Sequence, residues 1–313
     1  MTEETATSGG PAEAAASAAR AGGRQASPPD RPDRPGEPVE PGEGAAPSPQ
    51  VAGTASFSKF MHVLQLVADW RDSGEALNVT ALMRASGYPR PTVHRIVAGL
   101  LAERLLVEVP RTQSLALGPR LIQLASRSWG RSELRLAAVD ELKKLRDVTG
   151  ETVHLAVPNG NTMVYIEKLE SPSAVRMASR IGTSASLHAT AVGKAYLAAL
   201  ASAALEPLLR ALPLPRYTAH TLTDRAALRA QLEVTRRRGW SVDGEEHEAG
   251  IFCFGAVVRG QHGVPVAAIS VSTLMFRQKE NPEQAYVAPL LEACAAISER
   301  IADTPSLSAA DML

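Results

Sequence analysis

From Phe57 onward, apolar residues recur at helical spacing. Phe60, Val63, Leu64 and Val67 share one face, which predicts a helix stopped by Asp72-Ser73-Gly74. A second helix is expected after Asn78, with Val79, Leu82 and Met83 inward and a break at Gly87; Tyr88-Pro89 then makes a turn. The third helix opens with Pro91, tolerated in a first turn because no helical donor is required there. Its Val93, Ile96, Val97 and Leu100 form a single apolar stripe. Two short strand-like runs, Leu105–Val109 and Ser114–Leu117, then flank Pro110-Arg111-Thr112-Gln113. Three helices followed by a small hairpin make the layout of a winged helix-turn-helix.

A connecting helix is expected over 119–129 and another over 134–148, ended by Thr149-Gly150. Beyond it the period changes. Thr152–Val157 and Met163–Leu169 read as strands, joined through Pro158-Asn159-Gly160-Asn161, where Asn-Gly is a strong hairpin signal. Val175–Ala178 is a short strand candidate. Helices are expected near 190–201, 203–211, 224–238 and 282–301, and further strands at Trp240–Val242, Ile251–Val258 and Val264–Val271. Strands and helices interleaved with hairpins predict an α+β domain with a mainly antiparallel sheet.

Residues 1–54 have a different composition. Positions 1–50 hold nine prolines, eight acidic and four basic residues, and Met1 and Val39 are their only large apolar side chains. Such a segment buries too little apolar surface to offset the entropy of ordering it, so a disordered tail is expected. The resulting division is a tail over 1–54, the winged helix-turn-helix unit over 55–118, a linker helix over 119–132, a second domain over 133–304 and a flexible end over 305–313. The chain lacks a run of the roughly 18–20 apolar residues that a membrane helix needs. With two cysteines and no basic-then-apolar leader at its start, it reads as cytoplasmic and nucleoid-associated, without a membrane partner.

The formal net charge is zero, but charge is unevenly placed. Between Ala81 and Arg131 eight arginines face two glutamates, a net +6 over the stretch that carries the helix-turn-helix pattern. Neutralising phosphates supplies much of the affinity for DNA, so basic charge belongs there. With the stripe of the third helix inward, Arg90, Pro91, Thr92, His94 and Arg95 remain on or near its exposed face and N-terminal end. That end of a recognition helix reaches base edges in the major groove, where arginine pairs bidentately with guanine. Arg111, at the hairpin tip, is a candidate backbone or minor-groove contact.

Residues 58–120 resemble the N-terminal domain of IclR-type transcriptional regulators. The likeness rests on Ser-Gly-Tyr-Pro-Arg-Pro-Thr-Val-His-Arg-Ile over 86–96, on Leu100, and on Leu117-Gly118-Pro119-Arg120-Leu121. Pro91 stands where the family usually has a small hydroxyl residue, and Tyr88 where it has an aliphatic one. The likeness continues to about residue 303 through Thr149–Ala156, Leu187–Ala195, Arg238-Gly239-Trp240, Asp243–Glu246, Gly250–Cys253 and Ala268–Ser272. It implies a GAF-like C-terminal domain that binds a small effector and assembles homodimers or homotetramers. It also implies that Met177, Ala185, Ala191, Val192, Asp243, Cys253, Ser270 and Ser272 occupy effector-pocket positions. Ser186 replaces the family's proline before Leu-His.

The residues themselves point toward a small organic acid as effector. Ala189–Val192 lies where a loop meets a helix start, whose N–H groups and dipole favour a carboxylate. Ser270 and Ser272 are two apart on a strand and share a face. Other chemistry is less well supported. Gly193-Lys194 is not a phosphate loop, since no Ser or Thr follows the lysine, and Lys194 is expected on a helix surface or interface. Cys253 with His247 lacks a third orienting group for a nucleophile. His154, His188 and His247 lack metal-ligand spacing, so no metal or cofactor is expected. Asp243–Glu248 is expected as a solvated acidic turn. A small-molecule-processing enzyme with an appended DNA-binding domain is the alternative to a regulator that binds a pseudo-palindromic double-stranded operator.

Overall fold

In the computed structural model, residues 54–70, 76–112, 114–129 and 133–302 are described. The expected tail, the stop at Asp72-Ser73-Gly74, Gln113, Arg131, the side chain of Arg127 and the expected flexible end lie outside them. The elements in order are α1 (Ala55–Asp69), α2 (Val79–Ser86), α3 (Arg90–Ala102), β1 (Leu106–Val109), β2 (Ser114–Leu117), α4 (Pro119–Trp129) and α5 (Glu133–Thr149). Then come β3 (Thr152–Asn159), β4 (Thr162–Leu169), β5 (Ser184–Ser186), α6 (Ala191–Ala199), α7 (Ser202–Ala211) and α8 (Arg225–Arg238). The last are β6 (Ser241–Gly244), β7 (Ile251–Arg259), β8 (Pro265–Leu274) and α9 (Ala288–Ile301).

Asn78 caps α2 by accepting from the Ala81 N–H at 3.0 Å. Gly87 closes it in the left-handed region at φ 67°, which a side chain would strain. The turn lets α3 pack its stripe of Val93, Ile96, Val97 and Leu100 against Val63 and Val67 of α1 and Leu82 of α2. Leu106 and Leu115 of the β1–β2 hairpin close this core. The Leu115 N–H donates to the Leu77 carbonyl at 2.7 Å, fastening the wing to the segment that leads into α2.

The second fold unit is a six-stranded sheet in the order β5-β4-β3-β8-β7-β6, with every neighbouring pair antiparallel. Alternation gives each strand two faces. Val153, Leu155, Phe254, Ile269 and Val271 point to α5 and α9, where Leu142, Leu145, Leu290 and Ile297 complete one core. Ala156, Met163 and Ala268 point the other way, to Leu197, Leu228 and Leu232 of α6 and α8. Each buried Val, Leu, Ile, Met or Phe side chain among these contributes about 1.5–3 kcal/mol of transfer free energy.

Three expectations differ from what is observed. Residues 175–178 run as irregular chain rather than a strand, and the edge strand is β5. The Lys168 ammonium takes the Met177 and Ser179 carbonyls at 2.9 and 2.7 Å, bonds that a ladder would otherwise have supplied. The last helix begins with a widened π turn over Glu283–Val287 before α9, just ahead of Pro289, whose ring cannot accept regular α-helical packing upstream. The strand expected at Trp240–Val242 is β6, shifted to include Asp243.

Candidate functional site

The register of the sheet brings polar residues from distant parts of the chain into rows. Asp243 pairs with Cys253, Cys253 with Ser272, and Ser272 with Thr152. The next row on that face runs Ser241, Gly255, Ser270, His154 and Lys168. A Cβ on Gly255 would sit 2.6 Å from the backbone of Ala191, so only glycine lets the start of α6 lie this close to the sheet. The Ser241 hydroxyl donates to the Ala191 carbonyl at 2.6 Å and pins that start in place. Thr190 caps α6 by accepting from the Gly193 N–H at 3.2 Å.

Between these rows, the α6 start and the segment around 177–184 lies a cavity of about 250 Å³. Met177, Ala191, Val192, Asp243, Cys253, Ser270 and Ser272 all line it, as the resemblance implied. Ala185 does not; it is buried in β5 opposite Met163, in the core beside the cavity. His154, Tyr165, Ser179 and His247 also line the cavity and were not anticipated as effector residues. His154 was legible in principle: it shares alternation with Thr152 and Ala156, and the hairpin fixes which face that is.

The polar groups are tightly specified. His154 Nε2 lies 2.8 Å from the Ser179 hydroxyl, and its Nδ1 lies 3.5 and 3.4 Å from those of Ser270 and Ser272. Burial, with Lys168 nearby, holds the His154 pKa down to about 3, so its ring is neutral. Burial raises the Tyr165 phenol and the Cys253 thiol well above their usual ranges, which leaves Cys253 a protonated packing group rather than a nucleophile. Asp243 is pushed up to about 7, mainly by burial and against the pull of Lys194.

Two expectations are corrected here. Lys194 is not on a surface; it is 0% exposed and paired with Glu246, which is also buried. Its Nζ donates to Gln231 as well, at 3.3 Å. Nor is Asp243–Glu248 a solvated turn: Asp243 and Glu246 are buried, and Asp243 Oδ1 accepts from the Glu246 and His247 N–H groups at 2.8 and 3.3 Å. Among the described residues, no group of three or more His, Cys, Asp or Glu could hold a metal ion.

On the α2–α3 unit, Arg90, Pro91, His94 and Arg95 are exposed and Thr92 half-buried, one side of α3 opposite its apolar stripe. Arg90 Nε donates to His94 Nε2 at 3.3 Å, so two of these side chains meet. Arg111 is exposed in the turn between β1 and β2. Arg120, counted in the basic stretch, is paired with Glu103, which reduces the free positive charge there.

Residues 127–299 match the family described as bacterial transcriptional regulator IclR C-terminal, and residues 58–110 match the IclR helix-turn-helix domain. The chain is 33% identical over 214 residues to the HTH-type transcriptional regulator XynR of Escherichia coli (strain K12), covering 68% of this chain and 85% of that one. It is 32% identical over 246 residues to the HTH-type transcriptional regulator BhcR of Paracoccus denitrificans, covering 79% and 87%. An IclR homolog from Microbacterium hydrocarbonoxydans, solved in complex with 4-hydroxybenzoate, superposes with a TM-score of 0.66 at 26% identity, covering 79% of this chain and 99% of that one.

Proposed function

The chain belongs to the IclR family of bacterial DNA-binding transcriptional regulators, and from that premise we propose that the cavity beside β6, β7 and β8 binds a small organic acid whose occupancy alters operator binding. The observation that carries this reading is the convergence of Ala191, Val192, Asp243, Cys253, Ser270 and Ser272 on one cavity of about 250 Å³, beside a capped helix start. That volume suits a ligand of metabolite size. A related homolog holds 4-hydroxybenzoate, an acid of this class. The exposed Arg90, Pro91, His94 and Arg95 of α3 and the half-buried Thr92, with Arg111 on the wing, contact the operator. The division into residues 55–118 for DNA, 119–132 as linker and 133–304 for effector and assembly follows the same reading. A homodimer or tetramer acting in the cytoplasm places two recognition helices on a pseudo-palindromic site.

An enzyme is the weaker reading, because Cys253 is protonated and the neutral His154 is committed to serine hydroxyls. Thermal-shift titration with organic acids tests the effector assignment, since a ligand that binds the native state raises its melting temperature. The full chain is expected to gain stability with an acid that Ser270→Ala/Ser272→Ala no longer senses. An undiminished shift in the double variant contradicts the assignment.

A further inference from the structure

Among the described residues, the cavity offers an anion no cationic side chain. Its titratable lining groups are His154, Tyr165, Asp243, His247, Glu248 and Cys253, and neither lysine nor arginine is among the lining residues. The two buried ammonium groups beside it are committed elsewhere. Lys194 is held by Glu246 and Gln231. Lys168 donates to the Met177 and Ser179 carbonyls and lies 3.4 Å from Glu170. His154 is neutral, and burial depresses His247 too.

Asp243 is the group such an anion would meet. It is 3% exposed and lines the cavity. Its Oδ1 is fixed by the Glu246 and His247 N–H groups, while Oδ2 has no hydrogen-bond partner among the described residues. Lys194 on α6 and the Glu246 and His247 N–H groups favour its ionised form, whereas the Glu246 carboxylate opposes it. Cys253 stands directly across on β7, and Tyr165 on β4 lies within electrostatic reach. Burial outweighs the lysine and brings Asp243 to about 7. Two carboxylates confined in so small a space cannot both stay ionised.

We propose that Asp243 enters the complex as a neutral acid, donating from Oδ2 to the carboxylate of the effector, so that wherever Asp243 starts ionised, binding of an effector anion is coupled to uptake of one proton. This rests on the acid-effector reading above. The proton comes from solvent, and no bond other than the Asp243 O–H is made. Above the free-state pKa the empty site is ionised, so binding must take up a proton and rising pH opposes it. Affinity therefore falls about tenfold per pH unit in that range and is level below it.

Titration calorimetry of the full chain with 4-hydroxybenzoate, benzoate and lactate, in buffers of differing ionisation enthalpy, counts the protons. About one proton is expected per ligand at about pH 8, and close to none at about pH 5.5. Asp243→Asn, whatever its absolute affinity, is expected to show a level pH profile. The infrared carbonyl band of a protonated carboxyl group, gained by the wild-type chain on ligand addition at the higher pH, reads the same proton without any substitution. Binding without proton uptake at the higher pH overturns the inference alone, as does uptake that persists in Asp243→Asn. Binding of none of the three acids at either pH overturns the acid-effector reading and the inference with it.

Discussion

Lys194 loses all contact with water and keeps its charge only through its partners. Burial lowers its pKa and Glu246 opposes that shift. Removing one member of a buried pair strands the other, so Lys194→Met is expected to destabilise the fold by about 3–5 kcal/mol in urea unfolding. Lys194→Met/Glu246→Leu should recover most of that loss; a double variant as unstable as the single one contradicts the pairing account. Nothing in the local sequence signals this pair, because the lysine and glutamate are 52 positions apart. Ser270 and Ser272 were legible from two-residue alternation alone. The resemblance singled out Asp243, which lines the cavity, but its burial comes from packing that no local pattern encodes.

Among the elements, α3 and α6 do the positioning. The apolar stripe of α3 is readable directly from spacing, and its complement is the exposed face bearing Arg90, His94 and Arg95. Arg95→Ala touches no core residue, so it should leave stability within about 0.5 kcal/mol of wild type. It should weaken operator binding by about 1–3 kcal/mol at fixed salt, measured by fluorescence anisotropy. Unchanged affinity removes Arg95 from the DNA face. The start of α6 depends on Gly255, 64 positions after the Ala191 backbone it would strike, a closeness that only the folded sheet creates. The β3–β4 hairpin was legible through Asn-Gly. The irregular chain over 175–178 was not, because Lys168 on β4 donates to the Met177 and Ser179 carbonyls in place of a neighbouring strand.

For the whole molecule, a zero net charge conceals a division of labour: a basic helix-turn-helix stretch and a cavity from which cationic side chains are absent. The α+β class and the order of elements follow from hydrophobic period, while the sheet order, which brings β3 beside β8, follows only from long-range pairing. In the proposed function, cavity occupancy changes DNA binding. An effector can do this only through unequal affinity for the DNA-competent and DNA-incompetent arrangements. The most direct test selects duplexes bound by the full chain from a random pool, then titrates the winning sequence at fixed salt with and without 4-hydroxybenzoate or another acid that raises the melting temperature. A pseudo-palindromic sequence, with half-sites about one helical turn apart, whose affinity shifts with the acid in wild type but not in Ser270→Ala/Ser272→Ala, is the predicted result. A selected duplex whose affinity is indifferent to every acid that binds the chain would contradict it.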